Sequence, residues 1–333
     1  MKPDAIVADS PLRRRMLRWG LAAPLALALA GCAPRPPALD GSFVQIWHSH
    51  LAWSRTRWRR LMGEMRALGC REVVLQWTGV SGGTAPAWQV PDAVMETIFD
   101  TASARGLNVR VGLPFDHGWW EAIKTPDPAA LAAFFQRSRE AAIGYLNSAP
   151  WPLRRRFGGW YIPYEIEQYS WADPARRAML ADWLGAISEA AQGVTGQVPA
   201  ISTYFSQLPS ATTLLAVWET LLSRAALRPM VQDGVGVAGM QNLARIAPLL
   251  AGLRQREAVF DVIVELFEQL PTAKNDGSEF RAQPADWERV RRQLEWAGQT
   301  GAAHTLAFAV EPWLTGAEER ARALRRAWRQ ARF

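Results

Sequence analysis

The sequence predicts an α/β fold of the (β/α)8 TIM-barrel type, built as a single domain over residues 42–333. Eight short runs rich in Val, Ile and aromatic residues alternate with longer stretches of helical periodicity. The units follow one another evenly, as a barrel of this size requires. No G-x-G-x-x-G follows the first run and no P-loop occurs, which argues against a doubly wound nucleotide-binding sheet.

SFVQIW at 42–47 is the first predicted strand. Its helix runs through SRTRWRRLMGEMRAL, where Trp58, Leu61, Met62 and Met65 share one face. EVVLQW at 72–77 is the second strand; its helix opens at Pro91 and stops at Gly106, the expected punctuation. NVRVGLPF at 108–115 is the third, followed by DPAALAAFFQRSREAAIGYL. GWYIPYEIE at 159–167 is the fourth, followed by DPARRAMLADWLGAISEAA. VPAISTYF at 198–205 and RPMVQDGVG at 228–236 are the fifth and sixth, with LPSATTLLAVWETLLSRA and NLARIAPLLAGLRQ behind them. VFDVIVELFE at 259–268 is the seventh, before PADWERVRRQLEWAGQTG. HTLAFAVEP at 304–312 is the eighth, and GAEERARALRRAWRQAR closes the chain.

Residues 1–31 are set apart from this pattern. Arg13, Arg14, Arg15 and Arg18 precede an apolar run that ends in Leu29-Ala30-Gly31-Cys32, the layout of a signal peptide with a lipobox. Cys32 is the expected lipidation site, and residues 32–41 read as the acylated Cys and a Pro-rich tether. The double Arg also fits a twin-arginine signal, so export by Sec or Tat is expected. Ala33 after the Cys directs the expectation to the outer membrane, facing the periplasm, with the lipid anchor as the only membrane contact. With Cys32 acylated no disulfide framework is expected, and the remaining cysteine, Cys70, reads as a buried apolar residue.

The formal charge is +7, and residues 1–31 supply five basic and two acidic residues, leaving +4 on the rest. No dense basic block interleaved with aromatics occurs, which excludes nucleic acid as an expected partner. The chain carries 17 Trp, many at strand ends, which turns attention to ligands that stack on aromatic faces.

Active sites of such barrels form at the C-terminal ends of the strands. On the fourth strand, Tyr161, Pro163, Glu165 and Glu167 alternate with Ile162, Tyr164 and Ile166. On the seventh, Asp261, Ile263 and Glu265 alternate with Val262, Val264 and Leu266. Glu165 and Glu265 are therefore expected to face each other across the mouth, with Glu167 and Glu268 as further candidates. Two carboxyls flanking a bond are what glycoside hydrolysis needs, one as proton donor and one as nucleophile or base. The bland alternative is that they pair with Arg110 or another barrel-lining group. Candidate substrate-binding residues at strand ends are Gln45, Trp47, Gln76, Trp77, Asp116, His117, Trp120, Trp171, Tyr204, Gln232, Asp233 and Trp313. Trp58, Trp183, Trp218 and Trp328 lie on helices and are expected in the core.

A rival constellation is His48-x-His50 at the end of the first strand, a metal-ligand pattern of some hydrolase barrels. It would need Asp116 or His117 to converge on it, since His304 begins the eighth strand at the opposite end. No G-x-S-x-G nucleophile elbow occurs.

GSFVQIW, MRALGCREVVLQWTG, GGWYIPYEIEQYSW, VQDGVGV and VELFE resemble a bacterial family of secreted and lipoprotein barrels of unknown function that look like glycoside hydrolases. The resemblance to retaining endoglycanase barrels implies Glu165 as proton donor and Glu265 as nucleophile, although Tyr164 stands where those enzymes usually place Asn. It implies a glycoside hydrolase of the cell envelope acting on a poly- or oligosaccharide without cofactor, beside exopolysaccharide machinery. The alternatives are a non-catalytic glycan-binding lipoprotein assisting polysaccharide export and a metal-dependent hydrolase using His48 and His50.

Overall fold

The computed structural model describes residues 39–83, 86–272 and 280–331. Eight parallel strands close into a barrel: β1 (Gly41–Val44), β2 (Glu72–Leu75), β3 (Asn108–Gly112), β4 (Phe157–Ile166), β5 (Ala200–Thr203), β6 (Arg228–Gln232), β7 (Asp261–Glu265) and β8 (His304–Phe308). Each strand lies beside its sequence neighbours, and β8 closes on β1 through Gly41 with Leu306 and Ser42 with Ala307. The signal peptide at 1–31 and Cys32 lie outside the described residues. Of the expected tether, Leu39 is fully buried, and the carbonyl of Asp40 accepts the backbone N–H groups of Arg71 and Glu72. Leu39 and Asp40, read from the sequence as tether, are therefore packed against the barrel.

Helices follow the strands in turn: α1 (Arg55–Ala67), α2 (Asp92–Ser103), α3 (Pro128–Ser148), α4 (Pro174–Thr195), α5 (Leu214–Leu222), α6 (Asn242–Gln255), α7 (Trp287–Ala297) and α8 (Glu319–Ala331). Their starts obey capping chemistry. Ser54, Asp127, Asp173, Thr213 and Asp286 each accept a backbone N–H from the first turn. α3 and α4 also carry Pro in the first turn, where a missing N–H costs nothing. α4 stops at Gly196, whose φ of 68° is the left-handed conformation that glycine adopts freely.

Two apolar layers hold the structure. Outward-facing strand residues pack against the helices, with Trp58, Trp183, Trp218 and Trp328 buried there as expected. Inside the barrel a smaller cluster contains Phe43, Val74, Tyr161, Ala200, Met230, Ile263 and Leu306. It plugs the interior, so the barrel is a packed core with a site above it rather than a pore.

The floor below that plug is ionic. Arg110 donates to Glu72 at 3.1 Å, and Arg228 donates to the fully buried Asp261 at 2.7 Å, with His304 beside both. Arg110 is thus committed to the N-terminal end and does not neutralise the carboxylates at the mouth.

β4 contains a Pro, which lacks the N–H an interior strand normally donates. The register explains its presence. Tyr161 and Ile162 pair with Ala200 and Ile201, and the ladder resumes with Glu165 beside Ser202, so Pro163 and Tyr164 stand in a bulge. Because the bulge spans two residues, the alternation survives it. Tyr161 and Glu165 share the inward side, while Tyr164 packs outward against Trp119 and Trp183.

Candidate active site

The mouth of the barrel holds a cavity of about 590 Å³ lined by Glu165, Glu265, Gln45, Gln76, Gln232 and Tyr204 among polar groups, and by Trp47, Trp77, Phe115, Trp120 and Phe267 among aromatics. That size suits an organic ligand. Glu165 comes from the end of β4 and Glu265 from the end of β7, so strands on different sides of the barrel contribute one carboxyl each.

Neither carboxylate is held by a salt bridge among the described residues. Glu165, partly exposed to the mouth, accepts a 2.7 Å hydrogen bond from Gln232. Burial lifts its proton affinity above the ordinary carboxylate range, and the Gln232 amide opposes that shift. Glu265 is almost fully buried and accepts a 2.7 Å hydrogen bond from the Gly236 N–H. Burial, then the charge of Asp233, and more weakly that of Glu165, push its carboxyl well up.

Asp233 is the group behind this site. It follows β6, is fully buried, and its Oδ1 accepts the N–H groups of Val235 at 3.1 Å and Glu265 at 3.3 Å. Its Oδ2 accepts from Gln293 at 2.6 Å, and its own carbonyl accepts from Asn242 at 2.7 Å. The turn that achieves this needs two glycines. Gly234 has φ of 63°, and a Cβ on Gly236 would meet the Phe267 carbonyl at 2.6 Å and Glu265 Oε2 at 2.9 Å. The VQDGVGV string is therefore a clasp around Glu265. Asp233 acts from behind the cavity, not as a lining residue.

Most sequence-predicted residues reach the cavity: Gln45, Trp47, Gln76, Trp77, His117, Trp120, Tyr204 and Gln232 all line it. Burial, and then the charges of Glu167 and Glu165, raise the Tyr204 phenol far above its usual range, so it remains a neutral donor. Gln76 is buried to all but 7% and its side-chain oxygen has no hydrogen-bond partner among the described residues, which leaves an acceptor for a ligand hydroxyl. The sequence did not single out Phe115 or Phe267, whose apolar character gave no signal to separate them from core.

Other candidates are placed elsewhere. Glu167 turns back on its own loop, where its carboxylate accepts the N–H groups of Tyr169 and Ser170, the latter at 2.8 Å. β4 ends at Ile166, so the period of two no longer applies at 167. Glu268 is exposed, paired with Arg320 at 3.6 Å and bonded by Gln283, on a small antiparallel ribbon outside the barrel. Trp171 is fully buried against Trp119 and Phe135, which makes it core. Asp116 is occupied with the turn that follows it, accepting the Gly118 N–H at 2.8 Å. Trp313 lines an adjoining cavity instead of this one.

The metal constellation does not assemble. The His50 ring accepts the Trp47 N–H at 3.1 Å and faces Glu311 at 3.4 Å, while His48 lies against Trp88 and His117 against Phe115. Among the described residues, no group of three or more His, Cys, Asp or Glu is placed to hold a metal ion.

The family model described as "Domain of unknown function (DUF4434)" matches residues 39–319. An uncharacterised Escherichia coli protein, YbcH, is 26% identical over 272 residues, covering 79% of this chain and 83% of the relative. A provisionally assigned alpha-L-fucosidase from Bacteroides thetaiotaomicron superposes with a TM-score of 0.66 at 15% identity, over 90% of this chain and 95% of the other. An endo-1,4-β-D-mannanase from Thermotoga petrophila superposes with a TM-score of 0.53 at 11% identity, over 82% and 88%. At such identities the likeness establishes the fold that these glycoside hydrolases share.

Proposed function

We propose, from the premise that this chain belongs to the DUF4434 family, that its barrel mouth hydrolyses glycosidic bonds of a poly- or oligosaccharide. The observation that carries the reading is one cavity lined by Glu165 and Glu265, each free of a salt bridge among the described residues and each with raised proton affinity. A non-catalytic glycan binder would have no need to keep two carboxyls unpaired and costly at one mouth. The barrel's likeness to glycoside hydrolases agrees with this choice.

The chemistry needs one proton retained and one carboxylate free. Burial and then the charge of Asp233 keep a proton on Glu265 into the neutral range, and burial raises the proton affinity of Glu165 as well. In the proposed reaction Glu265 attacks the anomeric carbon as Glu165 gives a proton to the leaving oxygen, and a water deprotonated by Glu165 then cleaves the glycosyl–Glu265 ester and restores both carboxyls. The Gly236 N–H orients the attacking carboxylate, and Gln232 holds the donor. Gln76, Tyr204 and Gln45 bind hydroxyls, while Trp47 and Trp120 offer aromatic faces to the sugar. The upward push on Glu265 disfavours the ionised form that the nucleophile needs in the empty site.

The test is incubation of the protein with a panel of bacterial and plant polysaccharides, with product analysis. Wild type should release oligosaccharides, and Glu165→Gln and Glu265→Gln should not. A panel left uncut, or full activity in both variants, defeats the proposal.

The proposed location is the cell envelope, with Cys32 acylated and the barrel facing the periplasm beside polysaccharide-export machinery. The support is the lipobox and the Arg-rich segment before it. Cys32→Ala should shift the protein from the detergent phase to the aqueous phase on Triton X-114 partition. No shift would remove the anchor.

A further inference from the structure

A second cavity of about 590 Å³ adjoins the first, sharing Gln45, Trp47, Phe280 and Phe308 as a common wall. It contains neither Glu165 nor Glu265. Its own lining includes Trp313 and Pro312, with Arg281 and Glu311 supplying one charge of each sign. The shared wall is unusually apolar for a surface: Trp47 is 44% exposed and Phe280 is 60% exposed. Trp47 is held edge-on to Trp77 at 5.3 Å, so the exposed ring has a fixed attitude. Contiguous exposed aromatics rimmed by polar groups mark a ligand-binding surface.

We infer that this second chamber receives the remainder of a glycan chain whose scissile bond lies in the carboxylate chamber. The inference rests on the function proposed above and narrows its substrate class. The two chambers share a wall that carries stacking faces and no charged side chain. A single sugar can sit wholly within the first chamber and leave the second unused. A chain passing over Trp47 reaches Trp313, whose ring is steadied by Phe267 at 5.7 Å. Mixed charge in the second chamber gives no preference for an acidic or basic chain, which suits a neutral, hydroxyl-rich polymer. The substrate is therefore a linear glycan long enough to occupy both chambers.

The test uses Glu165→Gln protein to prevent turnover, with oligosaccharides graded from disaccharide to octasaccharide, cut from the polysaccharide that wild type hydrolyses. Affinity is measured by calorimetry. It should rise by about tenfold at the length that reaches Trp313, an aromatic contact's worth. Adding Trp313→Ala should abolish that step, and Trp313→Phe should keep most of it. Disaccharide binding in each variant reports that the fold is intact. Equal affinity for short and long chains, or a step that survives Trp313→Ala, overturns the inference while leaving hydrolysis standing. A wild type that cuts no glycan defeats the functional reading on which it rests.

Discussion

Asp233 Oδ1 accepts the backbone N–H of Glu265 at 3.3 Å, so a carboxylate just beyond the sixth barrel strand anchors the main chain that presents the glutamate of the seventh. The same side chain destabilises the charge of the group it positions. Orientation and protonation of Glu265 are therefore controlled from one residue.

Asp233→Asn should lower the pKa of Glu265, because it removes the largest charge opposing ionisation there. Carboxyl-carbon NMR titration of labelled glutamate reads this directly. The pH optimum of kcat/KM should move downward. If Glu265 is the nucleophile, the height of the optimum should also rise, since the reactive protonation state becomes more populated. An unmoved Glu265 titration would show that the two carboxyls do not communicate.

Glu165→Gln should reduce kcat by about 10²- to 10⁴-fold on a natural glycan, the usual worth of a positioned proton donor. The loss should be smaller on a substrate with an activated aryl leaving group, which departs without protonation. A uniform loss on both substrates would assign Glu165 to binding.

The buried carboxyls should make the fold less stable as pH rises. A carboxyl whose folded pKa is raised contributes fully below its unfolded value, about 4, and loses that contribution as pH passes its folded value. Asp233 is lifted to about 6 and Glu265 to about 8, which sets the window at about pH 4 to 8. Asp261, held low by His304 and Arg228 against its burial, acts oppositely and below that window. Thermal melts should show wild type losing Tm across it. Glu265→Gln should flatten the decline and melt above wild type at the alkaline end; parallel curves would contradict the linkage.

Arg228→Ala should destabilise the barrel by about 3–5 kcal/mol, because it leaves the buried Asp261 carboxylate with His304 as its remaining charged partner. Chemical denaturation measures the loss. Adding Asp261→Asn should recover part of it, and no recovery would mean the damage is steric.

The strands were legible because each is an apolar run bounded by turn residues, and the period of two placed Tyr161, Glu165, Ile263 and Glu265 on the inward face. Periodicity is silent once a strand ends. Glu167 and Glu268 lie just past that limit, where hydrogen bonding to loop amides and to Gln283 decides their direction. Trp171 was ambiguous for another reason: an indole beyond a strand end can stack on a ligand or on Phe135 with equal local sequence. Asp233 was visible as a polar strand end, but its role depends on Gln293 and Glu265, distant in the chain and close only in the closed barrel.

The ionic floor formed by Glu72–Arg110 and by Arg228, Asp261 and His304 lies at the strand ends opposite the carboxyl pair. Durability and chemistry are thereby assigned to separate storeys of one building. The loops carrying Trp47, Trp120 and Trp313 can be exchanged by recombination or by an engineer without touching the foundations, which makes this chain a platform on which new binding preferences can be installed.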